Sequence, residues 1–76
     1  MYDEKVIARN LRELLEERRM SQRELADLIG AAAPNVSYWC NGVTVPTIYK
    51  LVDICNAMQV SMDRLLKRRG IANDQA

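Results

Sequence analysis

Side chains able to do covalent or acid–base chemistry are few and scattered in this chain. The hydroxyls of Ser21, Ser37 and Ser61 would need a neighbouring base to act as nucleophiles, and the chain contains no His. Glu24, Asp27 and Asp53 are too dispersed to read as a paired general acid and base. Cys40 and Cys55 stand fifteen residues apart and make no C-x-x-C pair, so each reads as a small buried hydrophobe in a reducing compartment. Neither an enzyme nor a cofactor or metal centre is expected. What remains is hydrogen-bonding chemistry without charge. From Ala31 to Tyr49 there is no Asp, Glu, Lys or Arg, and Lys50 stands at the edge of that stretch.

The elements that must carry these residues are all helical. From Asp3 to about Arg18, Ile7, Leu11, Leu14 and Leu15 recur at helical spacing and form one apolar stripe. Arg9, Arg12, Arg18 and Arg19 alternate there with Glu13, Glu16 and Glu17, which reads as a solvated, salt-bridged face. Ser21-Gln22-Arg23-Glu24 has the reciprocal capping pattern, so a second helix starts at Gln22, carries Leu25, Ala26, Leu28 and Ile29, and stops at Gly30. A third helix lies within Ala31 to Asn41. Pro34 is tolerable only in its first turn, which sets the start near Ala32 or Ala33 and turns Val36 and Trp39 inward. Val43 to Pro46 is a loop. Thr47 caps a fourth helix carrying Leu51, Ile54, Cys55 and Met58, and Ser61 caps a short fifth with Met62, Leu65 and Leu66. Arg69 to Ala76 reads as a frayed tail after one domain over residues 3–68.

Composition bounds the same picture. Seventy-six residues, 49% apolar and 28% charged, describe one folded domain. Eleven Lys and Arg against ten Asp and Glu give a net charge of +1, so no global pull toward nucleic acid or anionic lipid is visible. No apolar run approaches the ~20 residues of a membrane span, and no signal segment opens the chain. A cytoplasmic protein is expected.

A helix that ends at a glycine and is followed within a few residues by a second helix is the bihelical element used to enter the DNA major groove. It needs a small residue at the crossing, here Ala26, and apolar contacts, here Leu25, Ile29, Val36 and Trp39. On Ser21-Gln22-x-x-Leu25-Ala26-x-x-Ile29-Gly30, Val36-Ser37-x-Trp39-x-Asn41-Gly42, Pro46, Leu51 and Val60-Ser61-x-x-x-Leu65-Leu66, the chain resembles the phage-repressor and Cro-type helix-turn-helix domains from about Ile7 to Leu66. The resemblance implies an all-α, five-helix lambda-repressor-like domain. It also implies a transcriptional regulator, repressor or activator, that binds a palindromic operator in double-stranded DNA as a homodimer.

Carried over position by position, the resemblance implies that Gln22 touches a phosphate from the start of the second helix. Ala32, Ala33, Pro34 and Tyr38 would face the bases, with Asn35 and Ser37 beside them. Asn41, Thr44, Thr47, Tyr49 and Lys50 would meet the DNA backbone. A chain of this length is expected to pair through its fifth helix and tail, with Met62, Leu65 and Leu66 as the available apolar residues; closure of the monomer core is an equal reading for Leu65.

Two departures from the family pattern matter. Many relatives present hydrogen-bonding side chains at the front of the third helix, where this chain has Ala32-Ala33-Pro34; these cannot make bidentate bonds to bases, so direct readout should be sparse and shape readout prominent. Many relatives also pair an Arg late in the first helix with a Glu late in the third. Leu15 and Cys40 occupy those positions, and replacing both partners predicts an apolar contact between them. The apolar front also supports a rival reading, in which the fold serves mainly to bind protein, as an antirepressor or an antitoxin-like partner.

Overall fold

Asp3 opens the first helix by accepting the Lys5 amide on its carboxylate at 2.8 Å, which satisfies one of the donors a helix start leaves unpaired. In the computed structural model, which describes residues 3–67, the chain forms α1 (Glu4–Arg18), α2 (Gln22–Ile29), α3 (Ala33–Cys40), α4 (Ile48–Met58) and α5 (Met62–Leu66). There is no strand among the described residues. The expected tail over 69–76, and residue 68 with it, lie outside the described residues.

Three of the four connections share one local design. Arg19, Gly30 and Gln59 follow α1, α2 and α4 in the left-handed conformation, with φ of 53°, 69° and 57°. The next residue then sends its amide back to the helix: Met20 to the Leu15 carbonyl (2.9 Å), Ala31 to Ala26 (2.9 Å) and Val60 to Cys55 (3.0 Å). Each of these residues also packs its side chain against the core, the apolar contact that accompanies this kind of helix end. The chain straightens at the following residue, which caps the next helix. Ser21 completes the reciprocal box expected from the sequence, taking the Glu24 amide at 3.0 Å while Glu24 takes the Ser21 amide at 2.7 Å. Ser61 takes the Arg64 amide at 3.3 Å. At the third site Ala32 holds the cap position and has no side chain to offer. Pro34 falls at the second position of α3, where its missing N–H has no partner to lose.

The core forms where the inner stripes meet. Leu11, Leu14, Leu25, Val36, Ile54 and Leu65, one or two from each helix, are fully buried together with Ala26. α3 packs on α1 and α2, α2 on α4, and α5 on both α1 and α4. Leu15 and Cys40 are buried in the same cluster, and both cysteines are free thiols, which agrees with the apolar replacement of the family's ion pair. Leu28 departs from expectation. α2 buries Leu25 and Ala26 and half-buries Ile29, and Leu28 projects from another side of this two-turn helix into solvent.

Asn10 is the one buried polar side chain among the described residues. Its Nδ2 donates to the carbonyls of Leu65 (2.9 Å) and Lys67 (2.8 Å), so α1 satisfies the orphan acceptors at the end of α5. Arg64 adds a second tie between these helices, at 2.8 Å from Glu17. Asn10→Ala should destabilise the fold by about 2–3 kcal/mol, since two bonds are lost and one carbonyl stays buried without a donor. Asn10→Asp, nearly identical in shape, should be worse at neutral pH because it turns a carboxylate toward two carbonyls. Urea unfolding with both variants checks the order; an Asp variant as stable as the Ala variant contradicts it.

Candidate nucleic-acid interface

The surface that the sequence marks out is built on the α2–turn–α3 unit. Gly30 ends α2 with its own amide bonded to the Ala26 carbonyl, so Ala26 receives two amides and fixes the exit of the chain. A Cβ built on Gly30 would meet nothing within 4 Å. The need for glycine there is therefore conformational and not a matter of space. α3 leaves the turn with Val36, Trp39 and Cys40 buried, which leaves Pro34, Asn35 and Tyr38 on the outside.

The expected site residues divide clearly by exposure. Gln22, Ala32, Pro34, Asn35, Tyr38, Asn41, Thr44, Thr47 and Tyr49 are all exposed, on α2, α3, the following loop and the start of α4. Ala33 is half-buried and packs partly against the core, so it keeps less exposed surface than its neighbours Ala32 and Pro34. Ser37 is half-buried and accepts from Asn41 Nδ2 at 3.4 Å. Thr47 accepts the Lys50 amide at 3.3 Å as the cap of α4. The loop is held to α3 by the Tyr38 carbonyl, which takes the Val43 amide at 2.9 Å.

Lys50 is half-buried. Its Nζ lies 3.4 Å from the Ile29 carbonyl and 3.9 Å from Asp53, which ties α4 to the end of α2. Arg12, exposed on the polar face read from the sequence, donates from its guanidinium to the Cys40 carbonyl at the end of α3. Neither α2 nor α3 has a basic residue in its own last turn, so cations from α1 and α4 serve the negative ends of the two helices that form the site. Sequence periodicity missed both roles. Arg12 lies three residues before Leu15, on the same side of α1, and that spacing is the signal that could have found it.

Expected pairing residues are also sorted by the fold. Leu65 is fully buried and closes the core, so of the three expected pairing residues it is Met62 and Leu66, both half-buried, that keep exposed surface. Among the described residues no group of three or more Cys, Asp or Glu could hold a metal ion, and no helix is long and apolar enough to cross a membrane.

Comparison with known proteins agrees with this geometry. The profile of the Helix-turn-helix family matches residues 11–65. The SOS-response transcriptional repressor LexA from Eubacterium rectale superposes with a TM-score of 0.85 at 19% identity, over 91% of this chain and 73% of that one. A transcriptional regulator from Listeria innocua gives 0.73 at 26% identity, over 91% and 69% of the two chains. An HTH_3 family transcriptional regulator from Vibrio cholerae gives 0.76 at 27% identity over 93% of this chain, which spans only 37% of that protein. No curated protein matches the chain.

Two outcomes follow from the local structure of α3. Supplying the absent cap with Ala32→Ser should stabilise the fold by about 1 kcal/mol; an unchanged or lowered denaturation midpoint contradicts it. Burial pushes the thiols of Cys40 and Cys55 above their ordinary value of 9.0, opposed at Cys40 by the Arg12 charge. The folded chain thus keeps both thiols neutral at a pH where the unfolded chain ionises them. Their contribution to stability is complete below about pH 9 and is lost as pH rises through the raised values. Urea midpoints measured from pH 7 to 10.5 should fall more steeply for this chain than for a Cys40→Ala, Cys55→Ala variant.

Proposed function

The chain belongs to the helix-turn-helix family, and from that membership we propose that it is a sequence-specific DNA-binding regulator of transcription, of the repressor type, that acts on a palindromic operator as a homodimer. α3 enters the major groove, and the two copies address half-sites about one helical turn apart. The observation that carries this reading is the shared outer face of α2, α3 and the loop. Gln22, Pro34, Asn35, Tyr38, Asn41 and Thr44 are all exposed there, on helices whose inner faces are locked by Leu25, Ala26, Val36 and Trp39.

The contact chemistry is unusual for its neutrality. Ala32 and Pro34 can touch thymine methyls, while Asn35 and Tyr38 supply hydrogen bonds to base edges. Gln22, Asn41 and Thr44 position the domain on phosphates. Lys50, already turned toward the end of α2, adds little cationic contact. Specificity then rests on a few side chains and on the shape of the duplex.

Selection of bound sequences from a random duplex pool tests the reading, with two half-sites at one-turn spacing as the expected product. Asn35→Ala with Tyr38→Ala should reduce affinity for the selected duplex by about tenfold or more while competitor DNA binds as before. Between 50 and 200 mM salt the affinity should fall by less than ~10²-fold, against 10³–10⁵ for proteins that neutralise many phosphates. A pool that yields no enriched sequence refutes the reading.

A further inference from the structure

The exposed apolar side chains of this domain are concentrated just beyond the recognition helix. Val45 is 44% exposed, Ile48 57%, Tyr49 79% and Val52 43%. Ile48 and Val52 are one turn apart on α4, Tyr49 and Val52 three residues apart, so the three share one outer stripe. Met62, half-buried on α5, borders this stripe, because its Sδ lies 3.5 Å from the Sγ of Cys55, the buried residue three on from Val52. The charged residues of α4 leave this face clear, since Lys50 turns to Ile29 and Asp53 accompanies it.

We propose that this outer stripe of α4, extended by Met62, is the surface through which two copies of the chain pair about a two-fold axis. The proposal rests on the dimeric reading of the function and assigns its interface. Near a two-fold axis every side chain meets its own copy, so a charge there would face itself, whereas a neutral apolar stripe is self-complementary. In a chain with 28% charged residues, a stripe without any is what such an axis requires. DNA is a poor occupant, because Ile48 and Val52 offer it neither a donor nor a cation. The exposed side chains supply roughly 500 Å² per copy, or about 1,000 Å² in a pair, which reaches the lower limit for a specific interface.

The test uses paired charge variants followed by light scattering and sedimentation. The natural chain should dimerise with rising concentration. Ile48→Glu with Val52→Glu should stay monomeric, as should Ile48→Lys with Val52→Lys, each with the helicity of the natural chain. Mixing the two should restore a one-to-one pair, which a misfolded variant could not do. Each monomer should bind an isolated half-site of the selected duplex as the natural chain does and bind the full site at least tenfold more weakly. The proposal is overturned if the variants dimerise like the natural chain, if the mixture stays monomeric, if the natural chain is monomeric both alone and on the full site, or if half-site binding is lost with the substitutions. If the natural chain pairs but no duplex binds, the regulatory reading fails while the pairing surface stands on the mixing result.

Discussion

The angle at which α3 leaves α2 is the constraint on which the rest of the domain depends. It is set by backbone. Gly30 takes a φ of 69°, the Ala26 carbonyl receives the amides of both Gly30 and Ala31, and Ala26 has no side chain beyond its methyl to hold the helices apart. From that crossing, Val36 and Trp39 are carried into the core and Asn35 and Tyr38 away from it. A residue with a Cβ at position 30 would have room but would sit in a conformation costing about 1–2 kcal/mol, and relief of that strain would come from opening the angle. The contact face is thus a consequence of one turn, while α1, α4 and α5 supply the apolar surface against which the turn closes.

Local chemistry was legible in the sequence, and long-range chemistry was not. Ser21 with Glu24, Thr47, Ser61 and Gly30 act within three or four residues of themselves, so their types and spacing determined the helix boundaries. The inward residues of the third and fourth helices followed from period alone. Asn10, Arg12 and Lys50 act on carbonyls 55, 28 and 21 residues away, and no local pattern announces an acceptor that exists only once two helix ends are brought together. Ala33, expected on the outer side, is half-buried because part of its surface packs on the core. Leu65, for which pairing and core closure were both readings, is fully buried where α5 packs on α1 and α4. Charge alternation along α1 correctly indicated a polar face but could not single out the one arginine that reaches across to α3.

The shared design of the connections explains where the fold yields stability. After α1 and α4 a left-handed residue, an apolar residue and a serine cap follow in order, and the serine satisfies an amide of the next helix. After α2 the same sequence of conformations ends on Ala32, whose methyl cannot. The omission falls at the front of the contact face, where a serine hydroxyl would be committed inward to the Asn35 amide. The cap is missing at the start of α3 alone, and that uncapped end stays in place because Ala31 and Ala33 pack against the core.

That division of labour also accounts for the near-neutral charge. A small nucleic-acid-binding domain would ordinarily turn its cations outward, yet Arg12, Lys50 and Arg64 are spent on a helix end, a helix end and Glu17 respectively. Each ties one helix to another: Arg12 joins α1 to the end of α3, Lys50 joins α4 to the end of α2, and Arg64 joins α5 to α1. From Ala31 to Tyr49 the outer face carries amide, hydroxyl and apolar groups, and Arg23 is the exposed cation that follows Gln22 on α2. Such a surface has little long-range attraction for DNA and must gain its affinity at contact, from geometry. Rigidity is then the property that matters most, because hydrogen bonds and methyl contacts fail with a small misplacement that a Coulombic attraction would tolerate. The turn at Gly30 supplies it, and the ties from Arg12 and Lys50 to the two helix ends add to it.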